Sequence, residues 1–328
     1  MTEIIATVSL QSPNIVQTID YLISCNINTF RFNLAKFFDL LIIEKVIDDI
    51  ISIKQTYGTR IKIMLDIPYP YQKSRIYIED VLKLKAGDTC HIFNKENTVN
   101  ISKGVCLKTN AVNFGKYLKN EDKIIYGDGR HAFIVKKVIN PNYIEVQLYN
   151  DTVIYPGKSI HIKHFTMEGV LTHRIIKKIH KLKPEYIALS FVSDENSVEK
   201  VKNIFPGVNI ISKIETHEGI ENINQISEES DIMIARGDLL LNVDYSQFLN
   251  CQQTIASTAK NNQRKLFVAT GILSSLSNSV IPTQSEIVDL LILKKMSPNA
   301  LILNYGLIDG NIEEALSIIN TIFNREEI

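Results

Sequence analysis

Short runs of apolar, mostly β-branched residues recur along the chain, and amphipathic stretches with helical spacing separate most of them. The eight runs are IIATVSL (4–10), TFRFNL (29–34), IKIMLDI (61–67), YIALSF (186–191), NIISKI (209–214), DIMIAR (231–236), KLFVAT (265–270) and ALILNY (300–305). VEKVKNIF (198–205) and FLNCQQTIASTAKN (248–261) are two of the predicted helices. Buried strands that alternate with helices indicate a parallel sheet, and eight of them predict a closed (β/α)8 TIM barrel. An open doubly wound sheet is the alternative, although it usually needs fewer strands.

The alternation stops between about residues 74 and 163, where short β-like pieces stand between turn-forming residues. We predict an inserted all-β, barrel-like domain over 74–163, placed after barrel strand 3. The barrel itself then comprises residues 1–73 and 164–328. An insertion at this point is expected to act as a lid over the active face. A structural or oligomerisation module is the other interpretation.

Composition and charge narrow the classes of function. The 328 residues carry 36 Lys+Arg and 36 Asp+Glu, and without a basic stripe we expect no nucleic-acid partner. Four scattered cysteines without a CxxC pair argue against a zinc site or a disulfide framework. No apolar run reaches the length of a membrane span, and the amino terminus does not resemble a signal peptide. We therefore expect a cytoplasmic protein without membrane contact.

Polar and charged residues stand at or near the predicted carboxyl ends of the strands, which is where (β/α)8 barrels carry their chemistry. The set comprises Arg31, Asn33, Asp66, Ser190, Lys213, Glu215, Arg236, Asp238, Thr270 and Asn304. Each residue alone is a weak signal, because strand ends are polar wherever they meet loops. The joint pattern is stronger.

Two segments, IISKIETHEGIENI (210–223) and DIMIARGDLL (231–240), carry most of the information. Lys213 and Glu215 are two residues apart, so on a strand both side chains point to the same side. Gly237, beside Asp238, lets the backbone approach a ligand closely. One lysine and two carboxylates suggest a divalent cation with an anionic substrate. A purely structural Lys213–Glu215 ion pair is the alternative.

These segments resemble those of the pyruvate kinase family. ISKIETHEGIENI resembles the family's signature strand with its lysine and metal-binding glutamate, and MIARGDL resembles its ARGDL element. KLFVAT resembles the strand that ends in the active-site threonine, and IPTQSEIVDL resembles the PTRAE segment. FRFNLAK and IMLDIPYP resemble the ARFNFSH and LDTKGP elements. The resemblance covers essentially the whole chain and implies Mg2+-dependent phosphoryl transfer between phosphoenolpyruvate and ADP, giving pyruvate and ATP.

The resemblance also implies roles for individual residues. Glu215 and Asp238 would hold Mg2+ or Mn2+, because hard oxygen ligands suit these ions. Lys213 would neutralise negative charge on the transferring phosphoryl group or on the enolate oxygen. Arg31 would bind the phosphoryl group, and Arg236 would support the site.

The carboxylate of the substrate has its own implied partners. Gly237 and Asp238 would offer backbone N–H groups to it at a helix start. Thr270 would also bind it and lie near the proton that reaches the enolate carbon.

The chain departs from the family at the K+ site. Asn33 and Asp66 remain of the family's K+ ligands, but Ala35 replaces the serine ligand and Lys36 follows it. The Lys36 ammonium could stand in for K+ and would repel it at close range. We therefore expect no K+ requirement.

The chain also departs from the family at the residues that help to hold nucleotide. Ile67 and Pro68-Tyr69 replace a threonine and a Lys-Gly pair that helps to hold nucleotide, and Lys73 could replace the phosphate-binding arginine. Use of ADP or ATP is therefore open. A lyase, aldolase or tautomerase that forms a pyruvate enolate on Mg2+ without nucleotide is an alternative function, and a non-catalytic regulatory relative is a second one. The joint presence of the implied site residues argues against the latter.

The carboxyl end of the sequence adds two expectations. Because the chain stops after FNREEI (323–328), we expect the family's C-terminal domain and its allosteric control to be absent. A homodimer formed through the barrel is also possible.

Overall fold

A computed structural model of the protein describes residues 2–9, 14–37, 39–97, 104–127 and 129–324, without the side chain of Lys36. The chain divides into two compact units. The first comprises Met1–Ala35, Asp39–Pro70 and Val170–Ile328, and the second comprises Lys36–Phe38 and Tyr71–Gly169.

The described part of the chain contains eighteen β-strands and eleven α-helices. The strands are β1 (Glu3–Val8), β2 (Thr29–Asn33), β3 (Lys62–Gln72), β4 (Ser74–Tyr77), β5 (Leu82–Leu84), β6 (Thr89–Asn94), β7 (Val105–Thr109), β8 (Lys123–Tyr126), β9 (His131–Asn140), β10 (Tyr143–Leu148), β11 (Thr152–Ile154), β12 (Ser159–His161), β13 (Met167–Glu168), β14 (Tyr186–Ser190), β15 (Asn209–Ile214), β16 (Asp231–Ala235), β17 (Leu266–Ala269) and β18 (Ala300–Leu303). The helices are α1 (Ile15–Ser24), α2 (Leu40–Tyr57), α3 (His173–Leu182), α4 (Glu195–Ile204), α5 (His217–Glu221), α6 (Ile223–Glu229), α7 (Arg236–Asn242), α8 (Phe248–Asn261), α9 (Gln284–Met296), α10 (Tyr305–Ile308) and α11 (Ile312–Asn324).

Eight parallel strands of the first unit close into a barrel. Their order is β1, β2, β3, β14, β15, β16, β17 and β18, and β18 pairs back with β1. All eight predicted runs are strands of this barrel, so the (β/α)8 prediction is confirmed and the open-sheet alternative is wrong.

The ends of two elements differ from the sequence prediction. β3 continues to Gln72, where residues 71 and 72 pair with β13, so Asp66 lies within the strand and does not end it. α4 begins at Glu195 because the Asp194 side chain accepts a hydrogen bond from the backbone N–H of Ser197 and caps the helix. None of the helices in the described part of the chain has the length and apolar character that crossing a bilayer requires.

Strand alternation builds both the core of the barrel and its polar end. Every second residue of a strand points toward the barrel axis. The apolar cluster inside the barrel comprises Ile5, Met64, Tyr186, Ala188, Ile211, Met233, Phe267, Ala269, Ala300 and Ile302. Two residues farther along their strands stand Asp66 after Met64, Ser190 after Ala188, and Lys213 after Ile211. The alternation that buries the core therefore delivers polar side chains to the same interior.

The second unit is a separate all-β structure. Seven of its strands close into a small barrel in the order β10, β6, β7, β4, β12, β8 and β9. Its core is apolar and includes Ile92, Leu107, Phe133 and Val146, which are completely buried. The predicted inserted segment, residues 74–163, lies within this unit.

Candidate active site

A buried charge network connects four of the predicted site residues. Lys213 Nζ lies 3.0 Å from Asp66 Oδ1 and 3.5 Å from Glu215 Oε1. The Arg31 guanidinium binds the other oxygen of Asp66, with Nη2 at 2.5 Å and Nε at 3.1 Å. The nearest carboxylate to Lys213 is therefore Asp66, from β3, and not its sequence neighbour Glu215.

Further hydrogen bonds orient this network. Arg31 Nη1 donates to Thr7 Oγ1 at 3.0 Å, which fixes the guanidinium from its other side. Ser190 Oγ donates to the carbonyl oxygen of Ile67 at 2.8 Å and lies 3.5 Å from Asp66 Oδ1. Residues of β1, β2, β3, β14 and β15 thus meet around one carboxylate.

Burial and charge act in opposite directions on the central pair. Burial alone would raise the pKa of Asp66, but Lys213 and Arg31 outweigh it and hold the pKa below its ordinary value. Burial likewise opposes the charged form of Lys213, yet Asp66 and Glu215 keep the pKa of the lysine above its ordinary value. Lys213 therefore carries a positive charge at neutral pH inside the barrel.

Glu215 is oriented by main-chain contacts. Its carboxylate is buried, and Oε2 accepts the backbone N–H of Phe191 at 2.7 Å. Phe191 has a left-handed φ of 54°, which is uncommon for a bulky residue and marks a constrained turn after β14.

The donor set has the chemistry that Mg2+ or Mn2+ prefers. Asp238 is half-buried in the first turn of α7, and with Glu215 it would supply two hard carboxylate ligands. Within the described residues, no group of three or more His, Cys, Asp or Glu side chains is arranged to hold a metal ion. With two carboxylate ligands, such an ion would take water or ligand oxygens in its other positions.

Thr270 is held in a strained conformation by Arg236. The φ of Thr270 is 79°, an outlier for a β-branched residue. Its carbonyl oxygen accepts two hydrogen bonds from Arg236, from Nε at 2.9 Å and from Nη2 at 2.7 Å. Arg236 Nη1 is in turn paired with Asp289 Oδ1 on α9 at 2.5 Å. These contacts form a three-residue clamp, Asp289–Arg236–Thr270.

Gly237 completes this arrangement for a steric reason. A Cβ atom at this position would stand 3.0 Å from Thr270 Cγ2. Gly237 therefore permits the close contact with Thr270, and its approach to a ligand stays a prediction.

The degenerate K+ site and the assignment of Lys73 in place of a phosphate-binding arginine stay predictions. Asn33 Oδ1 is buried and has no hydrogen-bond partner among the described residues. Asp66 forms ion pairs with Lys213 and Arg31. The Lys36 side chain lies outside the described part of the structure. Lys73 belongs to the second unit.

Sequence reasoning missed several residues that organise the site. Asp289 lies 53 positions from its partner Arg236, and its only sequence signal was its place in the PTRAE-like segment. The Phe191 N–H and the Asn242 side chain, which donates to the carbonyl oxygen of Glu215 at 3.0 Å, had no sequence signal.

The fold and the site define a (β/α)8-barrel protein with charged side chains gathered toward the carboxyl ends of its strands. The comparison with known families identifies it further. The family model "Pyruvate kinase, barrel domain" matches residues 1–293, so the chain belongs to the pyruvate kinase family. The resemblance inferred from the motifs is confirmed.

Individual relatives agree with this assignment. The chain is 29% identical over 303 residues to the pyruvate kinase of Thermoplasma acidophilum, covering 88% of this chain and 51% of that protein. It is 31% identical over 226 residues to the pyruvate kinase of Chlamydia muridarum, covering 65% of this chain and 46% of that protein. The chain thus spans about half the length of these curated relatives. The crystal structure of a pyruvate kinase from Cryptosporidium parvum shares the fold, with a TM-score of 0.76 at 22% identity over 98% of this chain and 68% of that one.

Proposed function

We propose that this protein catalyses Mg2+-dependent phosphoryl transfer between phosphoenolpyruvate and ADP. The observation that carries the proposal is the buried, positively charged Lys213, held between Asp66 and Glu215 beside Arg31. Preorganised cations in a water-excluded site stabilise charge that develops in a transition state, and they need no reorganisation when the reaction occurs. Membership of the pyruvate kinase family supports this reaction over others that such a site could perform.

The charged residues have separate tasks in this proposal. Lys213 opposes negative charge on the transferring phosphoryl group or on the enolate oxygen that it leaves behind. Arg31, fixed by Thr7 and Asp66, presents its guanidinium to the phosphoryl group. Glu215 and Asp238 would hold Mg2+ or Mn2+, which supplies charge neutralisation and orientation for substrate oxygens.

The substrate carboxylate is assigned to Gly237, Asp238 and Thr270. Backbone N–H groups of Gly237 and Asp238, in the first turn of α7, would face it, together with the Thr270 hydroxyl. Arg236 acts through Thr270, because it holds the strained main chain of that residue. The Thr270 hydroxyl would thereby remain near the enolate carbon that gains a proton.

A steady-state assay tests the proposed reaction. Pyruvate formation from phosphoenolpyruvate and ADP is measured with Mg2+, with Mn2+ and with a chelator. We expect metal-dependent turnover in the wild type and a loss of at least about 100-fold in Lys213→Met, since this removes a transition-state interaction. Lys200→Met, at an exposed position on α4, is the control and is expected to leave turnover unchanged. Near-normal turnover in Lys213→Met would reduce Lys213 to a structural ion-pair partner.

Calorimetry tests the metal assignment separately from turnover. We expect Mn2+ to bind weakly alone and more tightly with oxalate, because the two carboxylates leave coordination positions that ligand oxygens can fill. Asp238→Ala should abolish the tighter binding. Equal binding by this variant would remove Asp238 from the metal site.

A second candidate is enolate chemistry without nucleotide. It is favoured by the residues that follow Asp66 on β3, where Ile67 is buried and Pro68-Tyr69 replaces a nucleotide-binding Lys-Gly pair. This function predicts metal-dependent deuterium exchange into the methyl group of pyruvate without any nucleotide, measured by NMR. Exchange without ADP-dependent turnover would favour the second candidate over the first.

A further inference from the structure

One side-chain amide joins the two segments that carry the candidate metal ligands. Asn242 is the last residue of α7, and its Nδ2 donates to the carbonyl oxygen of Glu215 at 3.0 Å and to that of Asp238 at 2.9 Å. Glu215 directly follows β15, whereas Asp238 lies in the first turn of α7. Both N–H groups of the amide are thereby used, one on each segment.

The two hydrogen bonds differ in what they fix. The bond to Asp238 spans four residues of one helix, so the helix itself sets the amide relative to Asp238. The bond to Glu215 spans 27 residues and connects two separate elements of the barrel. The pairing of β15 with β16 ends at Ile214 and Ile234, so beyond it this amide links the main chains of Glu215 and Asp238.

The Glu215 side chain is constrained from a second direction. Its Oε2 accepts the N–H of Phe191, whose left-handed φ of 54° is retained only because the surrounding structure holds it. A shift of the Glu215 main chain would strain or lengthen this hydrogen bond. The Phe191 amide consequently reports on the position of Glu215 without any metal being present.

We infer that Asn242 is a positioning residue that sets the separation of Glu215 and Asp238 for a divalent cation; the inference rests on the proposed function. Its donor character is the essential property, because both partners are carbonyl oxygens that can only accept. Loss of such supporting contacts typically weakens metal binding about 10- to 100-fold.

Two variants and a matched control test this role in the full chain. Asn242→Ala removes the amide, and the isosteric Asn242→Asp retains its shape but replaces two donors by acceptors. Asn262→Ala is the control, because Asn262 also bridges two acceptors, Ser227 Oγ at 2.5 Å and the carbonyl oxygen of Asn224 at 3.5 Å, and neither carries a candidate ligand.

Two quantities are measured for each protein. Calorimetry gives the Mn2+ affinity in the presence of oxalate, and NMR gives hydrogen exchange of the Phe191 amide without metal. Both Asn242 variants are expected to bind Mn2+ at least about 10-fold more weakly than wild type and to exchange the Phe191 amide faster. Asn262→Ala is expected to change neither quantity.

The outcomes separate this inference from the proposed function. Unchanged Phe191 exchange in both Asn242 variants, or Mn2+ affinity within about twofold of wild type, would overturn the positioning role. A wild-type protein that binds no Mn2+ with oxalate would instead reject the proposed metal chemistry. Exchange in the metal-free protein would still decide whether the amide positions Glu215.

Discussion

The Lys213 ammonium on β15 reaches past β14 to the Asp66 carboxylate on β3, and the two side chains are 8% and 0% exposed. Asp66 also binds Arg31 through its other oxygen, so one carboxylate fixes two cations. Each cation is held in place before any substrate arrives. A buried pair of this kind is costly to break, because one partner left alone is a charge without compensation in a low-dielectric interior.

The first prediction concerns the pH dependence of this pair. In the folded protein the pKa of Asp66 lies below its ordinary value. The stabilising contribution of Asp66 to the free energy of unfolding is therefore complete above the unfolded pKa of about 3.9, and it is lost as the pH falls through the folded pKa. The pKa of Lys213 lies above its ordinary value. Its stabilising contribution to the free energy of unfolding is therefore complete below about pH 10.4, and it is lost as the pH rises through the folded pKa.

The measurement is the free energy of unfolding of wild type and Asp66→Asn across pH. We expect the variant to be less stable by about 3–5 kcal/mol, constant from about pH 5 to 9 and shrinking below about pH 4. Asp231→Asn is a control whose effect on stability should change with pH in the opposite direction, because burial raises the pKa of Asp231. Its stability relative to wild type should therefore rise as the pH rises through that pKa. A difference for Asp66→Asn that titrates near neutral pH would contradict the assigned directions.

The second prediction concerns the Asp289–Arg236–Thr270 clamp. Asp289→Ala leaves the largely buried Arg236 guanidinium without its carboxylate, and charged hydrogen bonds contribute about 1.5–3 kcal/mol. We expect a loss of about 2 kcal/mol in urea unfolding and weaker oxalate binding, with a smaller effect for Asp289→Asn, which retains an acceptor.

A surface ion pair provides the comparison for the clamp. Lys202 and Glu229 lie 2.6 Å apart with partly exposed side chains, and Glu229→Ala should cost less than about 1 kcal/mol. Equal losses for Asp289→Ala and Glu229→Ala, with oxalate binding intact, would show that the clamp does not support the site.

The third prediction concerns the contact between Gly237 and Thr270. Alanine favours helices over glycine by about 0.5–1 kcal/mol, but its Cβ would stand 3.0 Å from Thr270 Cγ2. Thr270 cannot easily move away from this Cβ, because its carbonyl oxygen accepts two hydrogen bonds from Arg236. We therefore expect Gly237→Ala to lower the thermal midpoint and the affinity for oxalate.

A double-mutant cycle isolates this contact. Thr270→Ser removes the methyl group and should restore part of the stability that Gly237→Ala loses. Additive effects of the two substitutions would show that the contact is not the cause.

The architecture was predictable because it depends on local patterns. Eight short apolar, mostly β-branched runs specify buried strands, and the helical stretches between them specify a parallel arrangement. The two-residue spacing placed Lys213 and Glu215 together on a strand, whereas β15 ends at Ile214 and Glu215 directly follows it. The end of β3 was not predictable, because its last residues are strand only through their pairing with β13.

The contacts within the site depend on barrel closure and could not be inferred from spacing. The sequence placed Lys213 and Glu215 on the same side of a strand, but the closed barrel brings Asp66 nearer to Lys213 than Glu215 is. Asp289, on α9, contacts Arg236 although 53 positions separate the two residues in the chain. A threonine carries no local signal for a positive φ, so the strain at Thr270 became visible only in the structure.

The last prediction concerns monovalent cations. Asp66, expected from the resemblance to belong to a degenerate K+ site, already carries Lys213 on one oxygen and Arg31 on the other. A further cation at this carboxylate would be repelled by two fixed positive charges within a few ångströms. Asn33 Oδ1 alone would provide a weak ligand. We therefore predict that any Mg2+-dependent activity is largely independent of K+.

Assays of wild type in K+ and in tetramethylammonium salts at equal ionic strength measure this dependence, since ionic strength alone screens charges. Similar rates in the two salts are expected. Lys36→Ser removes the ammonium that follows the position of the missing serine ligand in the sequence, and it tests whether the Lys36 ammonium also contributes. A gain in activity that requires K+ in this variant would assign part of the effect to Lys36. Strong activation of the wild type by K+ would show instead that Asp66 exchanges one of its cations for the ion, and would refute the prediction.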